Sequence, residues 1–339
     1  MIKYSFWNNK GGTGKTSLAF QTITMFAAYN PQARILVIDL CPQANLSELL
    51  LGGLVGGGSN NLNTLHLQNP RRSVGGYFQE RLPSPYAMPN INPQSYLSQP
   101  NQFNNYIPQN IHLFAGDALV ELQSNAISTL ANTQIPGTNT WISIIDWIND
   151  FISAVANQYD YIFIDSNPSF SIYTQIALAA SERVILPVMA DDSSRRAVQN
   201  AIALTQGINL PSPIYQQHNF ASMLGAAGRN PPKFHLFVKN RLTQYMGPAS
   251  AYHAVLTSID SMINNLIAQY PASLTFNNIE NGVVDVRDFQ TTGVVAFAMG
   301  MPFSVMQSGI YNLPGRNVQV RADYLQNCTD AMNSLVAKI

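Results

Sequence analysis

The chain has 339 residues, of which 46% are hydrophobic and only 11% are charged. This composition is typical of a globular protein and excludes a disordered tail, and it leaves Asn, Gln, Ser and Thr to supply much of the polar surface. Lysine plus arginine equals aspartate plus glutamate, at 18 residues each, so no overall basic field predicts binding to nucleic acid. Any surface that binds DNA must therefore be a local patch.

The number of cysteines and the lack of long apolar runs indicate the cellular compartment of the protein. Cys41 and Cys328 are too few for a disulfide framework or a four-cysteine metal site, which fits a reducing environment. No uncharged run of about 18 apolar residues predicts a membrane span. The first seven residues lead into a polar loop without the apolar core of a secretory signal. We therefore expect a cytoplasmic protein.

Strands and helices are predicted to alternate along the chain. Residues 2–7 predict a strand, residues 10–17 a glycine-rich loop, and residues 18–29 a helix that ends before Pro31. Further strands are predicted at 35–39, 111–115, 161–165, 184–187 and 234–238, and helices at 117–130, 141–157, 170–180, 193–206 and 317–338. This alternation predicts an α/β fold, with a twisted, mostly parallel sheet flanked by helices on both faces.

Two segments interrupt the alternation and are interpreted as insertions into a single domain that spans residues 1–339. Residues 52–110 are rich in Gly, Asn, Gln and Pro, and residues 208–233 contain several prolines. A structureless loop of the first segment's length is improbable in a compact domain, so the segment is either partly disordered or a functional lid or binding element. Three consecutive glycines at 56–58 favour mobility at its start.

The glycine-rich loop carries the residues of a phosphate-binding site. Gly11, Gly12 and Gly14 allow backbone N–H groups to point at a phosphate chain in front of a helix N-terminus. Lys15 would neutralise the terminal phosphates, and the Thr16 hydroxyl would bind Mg²⁺. An exposed turn is the alternative interpretation, and the strand before the loop and the helix after it argue against that alternative.

The loop departs from the standard P-loop pattern in a way that identifies a family. Asn9 stands where the pattern has a glycine, and Lys10 precedes the first glycine of the run. The loop therefore resembles the deviant Walker A loop of the ParA/MinD family of P-loop ATPases, and within it the ParA-type partition and positioning ATPases. Residues 37–47 resemble the switch segment of that family, and residues 159–169 resemble its Walker B strand. The resemblance covers the chain apart from the two insertions, strongly to residue 190 and loosely after it.

The resemblance implies which residues bind ATP and Mg²⁺ and which take part in catalysis. ATP would be bound by the loop and by Asn240 and Arg241, because residues 237–244 are similar to the family segment that lines the adenine pocket or a DNA-facing edge. Mg²⁺ would be held by Thr16, Asp39 and Asp165, although strand-end aspartates also cap helices. Lys10 would be the signature lysine, which reaches across a sandwich dimer to the partner's nucleotide. The nucleotide-binding residues of the loop would be Lys10, Gly11, Gly12, Thr13, Gly14, Lys15, Thr16 and Ser17, and the catalytic residues Lys10, Lys15, Asp39 and Cys41.

Cys41 departs from the family pattern in a way that concerns hydrolysis. Relatives have an aspartate there that is credited with aligning the attacking water. A thiol with an ordinary pKa of about 8.5 is a poor base at neutral pH. We favour the interpretation of Cys41 as a small buried residue in a packed turn over its interpretation as a reactive thiolate. The resemblance therefore implies a slow ATPase that converts ATP to ADP and phosphate and that a partner stimulates.

The implied function is an ATP-dependent homodimer that partitions or positions a cargo, such as a plasmid, a chromosome or a large protein assembly. Non-specific DNA binding in the ATP state would make the protein nucleoid-associated, and a ParB-like activator or cargo adaptor would complete the system. A DNA-binding patch in the dimer could use scattered basic residues, each of which is equally well explained by solvation or ion pairing. These residues are Arg195, Arg196, Lys239, Arg241, Arg287, Arg316 and Arg321.

Three alternatives to this function stay open. One is a nucleotide-locked and largely non-hydrolysing localisation scaffold, which the cysteine at position 41 supports. A MinD-like ATPase would bind membrane through a basic amphipathic tail, but residues 327–339 contain a single lysine, so no membrane partner is expected. A metabolic P-loop ATPase of the metal-handling kind would need paired thiolates, which two separated cysteines do not supply.

Overall fold

Strands and helices alternate along most of the computed structural model, which describes residues 1–189, 191–242 and 250–339. The strands are β1 (Ile2–Phe6), β2 (Ile35–Asp39), β3 (Leu97–Ser98), β4 (Ile111–Phe114), β5 (Tyr161–Asp165), β6 (Arg183–Met189), β7 (Lys233–Leu242), β8 (Val283–Arg287), β9 (Gly309–Leu313) and β10 (Arg316–Val320). The helices are α1 (Lys15–Tyr29), α2 (Asn45–Leu50), α3 (Gly58–His66), α4 (Val74–Arg81), α5 (Leu119–Asn132), α6 (Thr140–Ile145), α7 (Trp147–Ala154), α8 (Ile172–Ala179), α9 (Asp192–Gln206), α10 (Ile214–His218), α11 (Phe220–Ala226), α12 (Ser250–Gln269), α13 (Ile279–Gly282), α14 (Gln290–Met299) and α15 (Ala322–Val336).

Eight strands form one sheet in the order β3-β4-β2-β5-β1-β6-β7-β8. All neighbouring strands in it run parallel except β3, which pairs antiparallel with β4 at one edge. Both faces of the sheet are covered, because Ile38 and Ile164 pack in one apolar layer while Val37 and Phe163 pack in the other. The predicted fold class is thereby confirmed.

The register of the central strands places the first candidate residues at one edge of the sheet. Asp39 at the end of β2 pairs in register with Asp165 at the end of β5, and Asp165 also pairs with Phe6 at the end of β1. The carboxyl ends of these three strands therefore meet beside the loop that follows β1. In open α/β sheets this edge is where ligands bind.

Two predicted helices differ from the structure. The helix predicted over 141–157 is broken at Asp146, whose backbone leaves the helical conformation and whose carboxylate is bound by Arg229 and Asn149. The helix predicted over 317–338 starts too early, since Arg316–Val320 is strand β10, paired antiparallel with β9. The alternating Val318 and Val320 side chains are buried in that hairpin, which is a strand pattern rather than a helical one.

The two insertions are folded. Residues 52–110 contain α3, α4 and the edge strand β3, and residues 208–233 contain α10 and α11. The turn that leads into the glycine run lies against α14, because Val55 N donates to the Ala298 carbonyl at 2.8 Å. A Cβ at Gly53 would lie 2.5 Å from Gly300 N, so glycine is needed there for close backbone approach. The run thus lies in a turn and at the start of α3, and its mobility stays a prediction.

Candidate nucleotide-binding site

The loop between β1 and α1 turns at two glycines that have left-handed backbone conformations. Gly12 has φ of +75° and Gly14 has φ of +81°, a region that costs a residue with a Cβ about 1–2 kcal/mol. A Cβ at Gly14 would also lie 2.3 Å from Asn240 Nδ2. That amide group donates to the Thr13 carbonyl at 2.8 Å, so β7 supports the loop from the side. The loop thus leads directly into the N-terminus of α1, where backbone N–H groups have no helical acceptors.

The first turn of α1 brings a lysine and a threonine to the end of β5. Lys15 is buried, and its burial lowers the pKa of its ammonium group, while the nearby Asp165 acts in the opposite direction. Thr16 Oγ1 donates to Asp165 Oδ2 at 3.0 Å. Asp165 Oδ1 is buried and has no hydrogen-bond partner. A buried carboxylate oxygen without a partner, beside a threonine hydroxyl, fits the ligand set of a hard cation such as Mg²⁺.

Asp39 lies beside Asp165 and is completely buried. Its Oδ2 accepts from the backbone N and Oγ of Ser47, at 2.9 and 2.7 Å, and its Oδ1 accepts from Cys41 N at 3.1 Å. Burial raises the pKa of both aspartates above the ordinary value, and the charge of Asp39 adds to the rise for Asp165. A divalent cation between the phosphates and this pair would favour the ionised carboxylates, so the residues present fit Mg²⁺.

The Cys41 side chain is buried beside these two carboxylates. Burial raises the pKa of its thiol to about 12, and the charges of Asp39 and Asp165 act in the same direction. The thiol is therefore neutral at physiological pH and cannot accept a proton from water. Both cysteines of the chain are free and buried.

Lys10 contacts its own chain. Its Nζ donates to Asp191 Oδ2 and lies 3.3 Å from Ser194 Oγ. Asp191 is the N-cap of α9, where its Oδ1 accepts from Ser194 N at 2.8 Å. Burial acts to raise the pKa of Asp191, but the hydrogen bonds from Lys10 and the two serines nearby outweigh it and lower the pKa to about 2. Lys10 is thus held by a carboxylate that is ionised at all physiological pH values.

A cavity of about 930 Å³ opens beside Gly14 and Ser17. Its volume suits a nucleoside next to the phosphate loop. Asn240 and Arg241, which the sequence assigned to the nucleotide, line it at the end of β7. Residues 243 and 244 of the same predicted segment lie outside the described residues.

Other residues of this cavity were missed by the sequence analysis. Asp288, Phe289 and Gln290 line it at the junction of β8 and α14. The first insertion also contributes to the lining, through Gly53, Leu54, Gly57, Ser59 and Asn60. Val284 and Val286 alternate with the charged Asp285 and Arg287, and this apolar–charged alternation is the signal that could have located β8 and the junction after it. No local pattern indicated that the insertion would reach the cavity.

The basic residues proposed as a DNA-binding patch do not share one environment. Lys239 is buried and its Nζ lies 2.8 Å from Asp260 Oδ2, so its inclusion in that patch is wrong. Arg287 lies over the ring of Tyr324, and Arg321 pairs with Asp323 at the surface. Binding of DNA by the remaining residues stays a prediction.

The described residues contain neither a preformed metal cluster nor a membrane-spanning helix. Nowhere in residues 1–189, 191–242 and 250–339 do three or more His, Cys, Asp or Glu side chains form a group that could hold a metal ion. A cation between Asp39 and Asp165 would therefore complete its coordination with the Thr16 hydroxyl, phosphate oxygens and water. Among the helices of this part of the chain, none has the length and apolar character needed to cross a bilayer.

Comparisons with known proteins support the assignment of the loop and the sheet. The family model described as an AAA domain matches residues 1–212. Two uncharacterised proteins of Pseudomonas putida, one of them from the gidB 3' region, are 29% identical over 189 residues. That match covers 56% of this chain and 56% of each relative, so the chain spans about half the length of the curated relatives it matches.

Solved structures share the fold over nearly the whole chain. Apo McdA from Cyanothece has a TM-score of 0.61 and 14% identity, and the match covers 99% of both chains. A putative plasmid partition protein from Borrelia burgdorferi bound to AMPPNP has a TM-score of 0.54 and 15% identity, covering 100% of this chain and 99% of that one. The chain belongs to the AAA domain family and shares the fold of these two solved structures.

Proposed function

We propose that this protein binds MgATP at the loop between β1 and α1 and forms an ATP-dependent homodimer that hydrolyses ATP slowly. The observation that carries this proposal is the grouping of Thr16, Asp39 and Asp165 beside the P-loop, with an unpartnered buried oxygen on Asp165. A relative supports it, since the Borrelia partition protein was solved with AMPPNP. Cargo partition or positioning follows from the same resemblance, with a ParB-like activator or cargo adaptor as partner.

The residues of the chain have distinct roles in this proposal. Lys15 and the loop amides bind the phosphates and neutralise their charge, and Thr16, Asp39 and Asp165 hold the cation. Mg²⁺, when bound, stabilises negative charge on the phosphate oxygens. Asn240 and Arg241 bind the nucleoside in the adjacent cavity. Lys10 leaves Asp191 and reaches the nucleotide of the second protomer, so that ATP links the two chains.

The test is calorimetric titration with ATP and ADP, with Mg²⁺ and with EDTA, followed by sizing of the protein in each nucleotide state. We expect magnesium-dependent binding of ATP and a dimer with ATP but not with ADP. Addition of non-specific duplex DNA at low and moderate salt tests the DNA partner, because binding through phosphate contacts weakens as salt rises. Absence of magnesium-dependent nucleotide binding by the folded protein refutes the proposal.

A largely non-hydrolysing scaffold is the second candidate, and Cys41 is the observation that favours it. A neutral buried thiol supplies no base at the position where relatives have a carboxylate. Turnover by the unchanged protein, with and without DNA, separates the two candidates, and single-turnover hydrolysis by Cys41→Asp tests the role of position 41. A faster rate in the variant shows that position 41 limits turnover, whereas an unchanged rate shows that another group positions the water.

A further inference from the structure

Asp39 is oriented by a serine that has hydrogen bonds on two sides. Ser47 Oγ donates to Asp39 Oδ2 at 2.7 Å and accepts from Gly116 N at 2.8 Å. Because Gly116 N supplies a proton to this oxygen, the single proton of the hydroxyl is directed at the carboxylate. Asp39 and Ser47 are buried. Gly116 packs closely against them, since a Cβ at this position would lie 2.9 Å from Asp39 Cγ. Only a hydroxyl at position 47 can make both bonds.

The first insertion sets the position of Gly116. The carbonyl oxygen of Gly116 lies 2.9 Å from Nε2 of His66, which is the last residue of α3. The next residue, Asp117, is fully buried, and Arg71 binds it with two nitrogens, including Nη2 to Oδ1 at 3.0 Å. Ser73, which caps α4, also donates to Asp117. These three contacts all come from residues 52–110, the segment that interrupts the sheet pattern.

We propose that Ser47 is a positioning residue for the Asp39 carboxylate and that Arg71 of the first insertion sets its orientation through Asp117 and Gly116. Hydrogen bonds to a metal-binding carboxylate fix the direction of its free lone pairs, and loss of such a partner typically weakens metal binding about 10–100-fold. The insertion then acts as a support for the cation site rather than as a lid. This inference rests on the proposed binding of a magnesium nucleotide.

The test measures the metal directly. Titration of Mn²⁺ into the ADP complex, followed by electron paramagnetic resonance, gives a dissociation constant for the cation, and titration of ADP in EDTA gives the metal-independent affinity. For Ser47→Ala we expect cation binding about 10–100-fold weaker with ADP affinity in EDTA unchanged. For Arg71→Met we expect a weakening in the same direction but smaller, because Ser73 still holds Asp117.

Matched controls separate positioning from general damage. Ser181→Ala removes a buried serine whose hydroxyl bonds to Ser5 and Leu178 away from the site. Arg34→Met removes an arginine that binds Asp160 with two nitrogens, as Arg71 binds Asp117. Neither control should change cation binding. The double variant Ser47→Ala/Arg71→Met should resemble Ser47→Ala alone, because both changes act through one hydroxyl.

The outcomes are distinguishable. If the unchanged protein shows no cation-dependent nucleotide binding, the proposed function itself fails. If it does, and Ser47→Ala or Arg71→Met binds the cation as tightly as the controls do, the positioning role is overturned. Independent, additive losses in the double variant also overturn the route through Gly116. Should Ser47→Ala fail to fold, Arg71→Met decides the matter by itself.

Discussion

The contact between Lys10 and Asp191 predicts that a single substitution strengthens the ATP-bound dimer. Lys10 cannot bind its own Asp191 and the partner's nucleotide at once, so the proposed dimer must break this pair in each protomer. Asp191→Asn removes the charge but keeps a residue type that caps helix α9 well. The variant should therefore release Lys10 without unfolding the start of the helix.

The structure limits the size of this effect. The two side chains are 23% and 43% exposed, so solvent screens the pair and its contribution is about 0.2–1 kcal/mol. Two pairs are broken per dimer, which gives about 0.4–2 kcal/mol and a dissociation constant roughly 2–30-fold lower for the variant. Sedimentation velocity with a slowly hydrolysed ATP analogue measures this constant over a concentration series.

Glu182→Gln is the matched control, because Glu182 forms a comparable surface pair with Lys3 at 3.5 Å far from the loop. It should leave the dissociation constant unchanged, and neither variant should dimerise with ADP. A weaker ATP-bound dimer in Asp191→Asn would refute the reasoning, since it would mean that Asp191 stabilises the dimer rather than competing with it.

Two further substitutions test the loop and the buried ion pair. Gly14→Ala should weaken ADP binding at least about tenfold in calorimetry, because it combines backbone strain with a collision at Asn240. The control Gly228→Ala introduces the same left-handed strain, at φ of +72°, but no atom lies within 4 Å of the added Cβ. It should leave ADP binding unchanged. Equal losses of ADP affinity in both variants would contradict the role of the collision with Asn240. Asp117 gives a pH dependence: burial acts to raise the pKa of Asp117, but Arg71, Ser73 and Leu119 N hold it below the ordinary value. Its contribution to stability is therefore present at neutral pH and is lost as pH falls below the unfolded value of about 3.9. Urea denaturation of Asp117→Asn should show a lower free energy of unfolding at pH 7 and a smaller loss of stability between pH 5 and pH 3 than the unchanged protein, and parallel pH profiles would contradict this.

Local patterns were sufficient for six of the eight strands of the large sheet and for the phosphate loop. Parallel strands buried on both faces are continuous apolar runs, so Ile35–Asp39 and Tyr161–Asp165 were located to the residue. The loop was recognisable because glycines, a lysine and a threonine must follow one another closely to meet a phosphate chain. Strand β8 and the cavity residues after it were missed, since the short alternating run at Val283–Arg287 is a weak signal beside long helices.

The sequence by itself determined the fold class, the family and the position of the phosphate loop, because each depends on residues close together in the chain. Only the tertiary structure decided where Lys10 points, that Lys239 is buried against Asp260, and that Ser47 joins Asp39 to Gly116. These are contacts between segments far apart in sequence. Their partners are selected by packing and by the need of buried polar groups for hydrogen bonds, which no local pattern encodes.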